Sequence, residues 1–235
     1  MLAFGLQFLI LKGMSEFRRR LMMGKNGQSP TDYITNGLVF HLDGADFNGT
    51  TWVDKVGHIE YTKVGTNITK SGDGVNFTGE TGNYLYATSK PTTPYNATTI
   101  EVVLKYDGGS SWGIVYNTDN LDYIMYGIVN GRVSYRMGAN RTTKTAGTVS
   151  TIFTHSISNT HNYFNGESKG TAATASWRNP AEYSSVVGAV KRSSFNAEYC
   201  LNGTLYQLRM YNRILTEAEI LHNANIDAQK YNITL

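Results

Sequence analysis

Three tryptophans, Trp52, Trp112 and Trp177, are the side chains in this 235-residue chain best suited to recognising a ligand. An indole ring stacks on the apolar face of a sugar, and amides and charged groups beside it meet the hydroxyls. Trp112 and Trp177 lie in or beside turn-rich sequence and are the candidates for a binding rim. Tyr116, Asn117, Tyr123 and Tyr126 follow Trp112 closely enough to line a surface with it, and Arg178 and Asn179 adjoin Trp177. The competing reading is burial, because tryptophan commonly fills sandwich cores and keeps only its N–H paired.

The acids and histidines do not assemble into a reaction centre. Glycoside hydrolysis normally needs two carboxylates flanking the scissile bond. Glu101 stands alone on its predicted strand, while Glu217 and Glu219 open a predicted helix, where they serve its cap and dipole. The five histidines are scattered along the chain. His155 and His161 bracket a turn and would meet only across a hairpin. These absences predict that the chain is not an enzyme. Asp43, Asp46 and Asp54 cluster in the opening loops with Asp73 nearby, an oxygen-rich set that also suits ordinary turns.

Composition excludes further classes. The single cysteine, Cys200, forms no internal disulfide and no cysteine-based zinc site. A net charge of +3, from 21 basic and 18 acidic residues, gives no sign of nucleic-acid binding. Seven Asn-x-Ser/Thr sequences read as chance in a chain rich in Asn and Thr. The 24 glycines, 16 tyrosines and 9 phenylalanines fit pleated strands joined by many turns.

The elements that would position these residues begin after an N-terminal extension, residues 1–35. Its apolar start, MLAFGLQFLIL, is too short for a membrane span and lacks the flanks of a signal peptide. It reads as an over-extended gene start or a hydrophobic anchor. Residues 14–25 form a short basic amphipathic stretch that would dock on a partner, and a linker follows. Residues 36–235 form one domain. Strands are predicted at 37–42, 58–64, 75–77, 84–87, 99–106, 123–129, 132–137, 184–190 and 204–211. Asn130-Gly131 and Asn165-Gly166 mark hairpins, since both residue types tolerate positive φ. Thr216 and Glu219 form a capping box before the one predicted helix, with Ile220, Leu221 and Ala224 toward the sheet.

The closing run GTLYQLRMYNRILTEAEI (203–220) resembles the last strand and helix of concanavalin A-like, laminin G-type domains. The opening GLVFHLDG (37–44), the following TWVDKVG (51–57), GVNF (74–77) and FNGE (164–167) resemble earlier pieces of the same fold, in order. The resemblance implies an all-β, two-sheet antiparallel jelly-roll sandwich with a short C-terminal helix. It places Trp52 in the core. It also implies loop calcium, with Asp43, Asp46, Asp54 and Asp73 as ligands. Tyr206 stands where many metal-binding relatives carry an acid, which argues against that arrangement. Glucanases of this fold class carry a Glu-x-Asp-x-Glu strand that is missing here. The closest flavour is that of phage and bacterial surface proteins. The expected function is therefore a carbohydrate-binding or adhesion module on a virion or cell surface, with a glycan or surface protein as partner. The alternatives are a structural virion protein without a glycan ligand and, lower, a glycoside hydrolase.

Overall fold

The computed structural model describes residues 31–87, 89, 97–108, 112–118, 124–137, 140–143, 151–158, 161–171, 184–190 and 198–235. Tyr123, Trp177, Arg178 and Asn179 lie outside these residues, as does the expected docking stretch 14–25. The first strands are β1 (Leu38–Asp43), β2 (Thr51–Val53), β3 (Glu60–Val64), β4 (Ile68–Ser71), β5 (Gly74–Thr78), β6 (Tyr84–Ala87), β7 (Thr99–Tyr106) and β8 (Trp112–Thr118). They continue as β9 (Ile124–Val129), β10 (Arg132–Met137), β11 (Asn140–Thr143), β12 (Phe153–Ser158), β13 (Asn162–Phe164), β14 (Glu167–Ser168), β15 (Ser185–Val187) and β16 (Asn202–Tyr211). Helix α1 (Glu217–Tyr231) closes the chain.

The strands form two eight-stranded antiparallel sheets. The back sheet runs β14-β13-β12-β7-β16-β5-β4, with β1 beside the second half of β16. The front sheet runs β11-β10-β9-β8-β15-β6-β3-β2. Alternation along each strand buries one face of each sheet against the other. Phe40, Leu42, Ile100, Val102, Leu104, Leu208 and Met210 from the back meet Tyr61, Leu85, Tyr116, Tyr126, Ile128 and Val187 from the front. Full burial of one such side chain contributes about 1.5–3 kcal/mol. Trp52 belongs to this core, fully buried, and its Nε1–H donates to the Asp43 carbonyl at 2.7 Å.

The predicted turn chemistry is present. Asn130 and Gly131 join β9 to β10 with φ of 50° and 69°, and Asn165 and Gly166 join β13 to β14 at 47° and 75°. Thr216 caps α1, with Glu219 returning the bond to the cap. The helix buries Ile220, His222, Asn223, Ala224, Asp227 and Tyr231, three of them polar, where sequence pattern pointed to Leu221 as well. The packed unit starts upstream of Asn36. His222 bonds the Asp32 carbonyl at 2.8 Å, and the Ile34 N–H donates to Asn223 at 3.0 Å.

Candidate functional site

The densest polar chemistry lies on the outer side of the back sheet, under α1. Arg209 of β16 points outward and is fully buried. Its Nη atoms donate to both Asp227 oxygens, at 3.1 and 2.6 Å, and its Nε donates to Glu101 at 3.0 Å. Asp227 also accepts from Tyr33 at 2.8 Å and Thr154 at 3.1 Å. Asn223 donates to Glu101 at 2.8 Å. The Arg209 guanidinium stacks on the Tyr33 ring, 4.0 Å from its centre. Burial pushes the Glu101 carboxyl up, against the pull of Arg209. An arginine, two carboxylates and a tyrosine resemble a reaction centre, but Glu101, Arg209 and Asp227 are at most 2% exposed, so no substrate meets them. Their partners are all internal, so their role is to fasten helix and N-terminal segment to the sheet.

A second buried group crosses the interior. The Tyr126 hydroxyl lies 2.8 Å from His155 Nδ1, and His155 Nε2 lies 2.8 Å from Asn162 Oδ1. Desolvation lowers the His155 pKa to about 4. His161 instead sits against Ser158, so the two histidines flanking the turn do not converge.

The outer side of the front sheet is different, and a β-bulge in β8 explains why. Plain alternation from Trp112 would bring Tyr116 to the same side and turn Asn117 inward. Between Ile114 and Tyr116 the register to β9 shifts, so that Val115 and Tyr116 both enter the core. Tyr116 is fully buried, its ring edge-on to Phe40 at 5.6 Å. The expectation that it lines a ligand surface is thus corrected, and so is the same expectation for Tyr126. Asn117 now shares the outer side with Trp112 and Ile114, opposite Val186 of β15. It is fully buried, and among the described residues neither atom of its amide has a hydrogen-bond partner.

Trp112 is half-buried, and its ring lies 5.3 Å from that of Tyr199 at 42°. Tyr199 is 47% exposed and has φ of 53°, a left-handed backbone that costs a bulky residue about 1–2 kcal/mol. Bonds on both sides enforce it. The Tyr199 carbonyl accepts from the Ile114 N–H at 3.0 Å, Glu198 and Val190 exchange bonds at 2.9 Å, and Leu201 donates to the Gly188 carbonyl at 2.7 Å. An exposed aromatic held in a strained conformation is the clearest local departure from the rules of folding here. Sequence reading missed Tyr199, because nothing in residue type marks a tyrosine for positive φ.

The opening-loop acids are brought near one another but already have partners. Asp54 accepts the N–H groups of His41, Val56 and Gly57 at 2.7, 3.1 and 2.7 Å. Asp43 accepts the Ala45 N–H and pairs with Lys55 and Lys230, while Asp46 pairs with Lys55 at 2.9 Å. Asp73 is exposed in the turn between β4 and β5. Calcium needs six to eight oxygen ligands, and among the described residues no group of three acids, histidines or cysteines converges. These residues do not fit the ion.

A family model described as "Concanavalin A-like lectin/glucanases superfamily" matches residues 78–221. No curated protein matches the sequence. Among solved structures, a Trypanosoma rangeli sialidase in complex with 2,3-difluoro-KDN aligns over 88% of this chain and 35% of its own, at 15% identity and TM-score 0.58. The Botulinum neurotoxin serotype D ligand binding domain, in complex with N-acetylneuraminic acid, aligns over 84% of this chain and 52% of its own, at 13% identity and TM-score 0.56. The serotype G binding domain aligns over 81% and 51%, at 10% identity and TM-score 0.58. The chain thus spans about a third of the sialidase and about half of the toxin domains. At these identities the likeness is one of fold, a lectin-like sandwich. It corrects one expectation nonetheless. The chain was expected to be no enzyme for want of paired carboxylates, yet similar chains are sialidases, a class in which a tyrosine nucleophile escapes the two-carboxylate rule. No helix among the described residues is long and apolar enough to cross a membrane.

Proposed function

This chain belongs to the concanavalin A-like lectin/glucanases superfamily, and on that premise we propose that it is a carbohydrate-binding module for adhesion on a phage virion or bacterial surface, with the outer side of the front sheet as its ligand face. The observation that carries the reading is the exposed, strained Tyr199 ring set against Trp112. Two tilted aromatics offer a stacking surface for the C–H face of a pyranose, and a left-handed backbone at a tyrosine, where glycine would cost nothing, supports a use for the ring itself. The serotype D domain, crystallised with N-acetylneuraminic acid, supports a glycan ligand on this kind of sandwich. N-acetylneuraminic acid is an acidic sugar, so acidic sugars belong among the ligands tested. The surface setting rests on the resemblance of the opening and closing strands to phage and bacterial surface proteins.

The test is a glycan array that includes sialylated and neutral oligosaccharides, probed with the full chain and with Tyr199→Ala and Trp112→Ala. Binding that both substitutions abolish, with unfolding curves close to the native one, is the expected result. An array on which the native chain binds nothing, or on which the variants bind as it does, overturns the reading.

A further inference from the structure

The acids of the opening loop are not idle, and what holds them is a set of lysines. The turn Gly44–Asp46 follows β1, with Asp43 as its cap. The Lys55 ammonium, from the loop after β2, reaches Asp46 at 2.9 Å and Asp43 at 3.7 Å. Lys230, from the last turn of α1, reaches the two oxygens of Asp43 at 3.4 and 3.5 Å. Lys70, from β4, donates to the backbone carbonyls of Ala45 and, at 3.1 Å, Phe47. Two carboxylates and two carbonyls of one turn therefore meet three ammonium groups arriving from three separate elements. Burial alone would raise the Asp43 carboxyl, but the Ala45 N–H and the two lysines hold it below its usual range.

An ammonium group is a compact point charge with three donors, so several together can neutralise carboxylates and satisfy converging carbonyls as one divalent cation would. Unlike a cation, the lysines are covalently part of the elements they join. We infer that Lys55, Lys70 and Lys230 take the place of a divalent ion in the opening turn, tying β1, β4 and the end of α1 together. The turn is thereby independent of calcium and dependent on lysine charge, and acylation of Lys70 or Lys55 would loosen it.

The experiment uses the full chain, the double variant Lys55→Met/Lys70→Met and the charge-keeping Lys70→Arg. The probe is terbium luminescence excited through Trp52, whose ring nitrogen sits on the Asp43 carbonyl at 2.7 Å, with thermal melts in calcium and in EDTA alongside. The native chain and Lys70→Arg should show no terbium emission and the same Tm in both buffers. The double variant should melt lower in EDTA, recover on adding calcium, and give terbium emission. If the double variant fails to fold in EDTA, single Lys70→Met is read in the same way. Calcium-dependent melting of the native chain overturns the inference. So does a folded variant that gains neither terbium emission nor calcium-dependent stability.

Discussion

The two outer faces of the sandwich differ in how they hold charged and aromatic groups, although the Ser156 hydroxyl of β12, on the back sheet, is also buried without a hydrogen-bond partner among the described residues. On the back sheet, Arg209, Glu101, Asp227 and Asn223 are all paired with one another or with Tyr33, Thr154 and Tyr211. On the front sheet, the Asn117 amide is buried with no partner among the described residues, and the Tyr199 backbone is strained beneath an exposed ring. A closed network with no exposed member explains itself as structure. An open amide beside a strained, exposed aromatic makes the front face the better candidate for a role beyond folding. The contrast also guards against a misreading, since the back face has the residue types of an active site while the front has the exposure of a binding site.

The contrast breaks most forcefully at Asp227. Asp227→Ala strips Arg209 of its bidentate partner and leaves a buried guanidinium facing one carboxylate. Removing one member of a buried pair costs about 3–5 kcal/mol, so the urea midpoint should fall steeply. Glycan binding by the fraction still folded should be unchanged, because the network lies on the other sheet. A variant of native stability would mean that the network does not fasten the helix.

Acid tests the covered side in another way. His41 packs behind Gln207, 2.7 Å from its side chain, and His155 lies in the interior. Burial, helped at His41 by the charge of Arg209, lowers both pKa values from 6.5 to about 4. The unfolded chain therefore binds more protons between these limits. The stability from both histidines is complete above pH 6.5 and is lost as pH falls through the window to about 4, at about 1.4 kcal/mol per pH unit for each group. Urea midpoints across that window should slope downward with acid, and His155→Gln should remove about half of the slope, as expected when one of two equal contributors titrates no longer. A flat profile in the native chain would show that neither histidine is buried neutral.

Much of the frame was legible because it obeys short-range rules. Strand β7 reads directly from alternation, the Asn-Gly hairpins from φ tolerance, and the start of α1 from its capping box. The site was less legible for physical reasons that can be named. Asp227 and Asn223 look like solvent-facing helix residues until Arg209 and Glu101 are known to lie beneath them, a fact that depends on sheet pairing 108 residues apart for Glu101 and Arg209. Trp112 was found by type, but its neighbours were assigned by alternation, which the bulge at Val115 interrupts. That one extra residue exchanged Tyr116 for Asn117 on the outer face.

Asn117 sharpens the comparison at smaller scale. Asn117→Leu keeps the shape and removes an unpaired amide, so it should leave stability unchanged or raise it by about 1–3 kcal/mol. The same change in a satisfied network residue, such as Asn223→Leu, should destabilise, because Ile34, Glu101 and Tyr211 would each lose a partner. Opposite signs for two asparagines with identical burial are what the comparison requires. Urea unfolding of both variants measures it, and destabilisation of equal size in both would sink it.

The smallest expected effect is the most specific. Tyr199→Gly removes a side chain from a left-handed backbone and should stabilise the chain by roughly 1 kcal/mol, less whatever packing against Trp112 contributes. Tyr199→Ala keeps the strain and should not show that gain. Both lose the ring, so both should lose glycan binding together while their melting temperatures part. If glycine and alanine instead fall together in stability, the Tyr199 ring is a packing residue for Trp112 rather than a strained platform. Stability and binding moving in opposite directions at one position would separate a residue kept for its ligand from one kept for the fold, which is the distinction the two outer faces draw across the whole molecule.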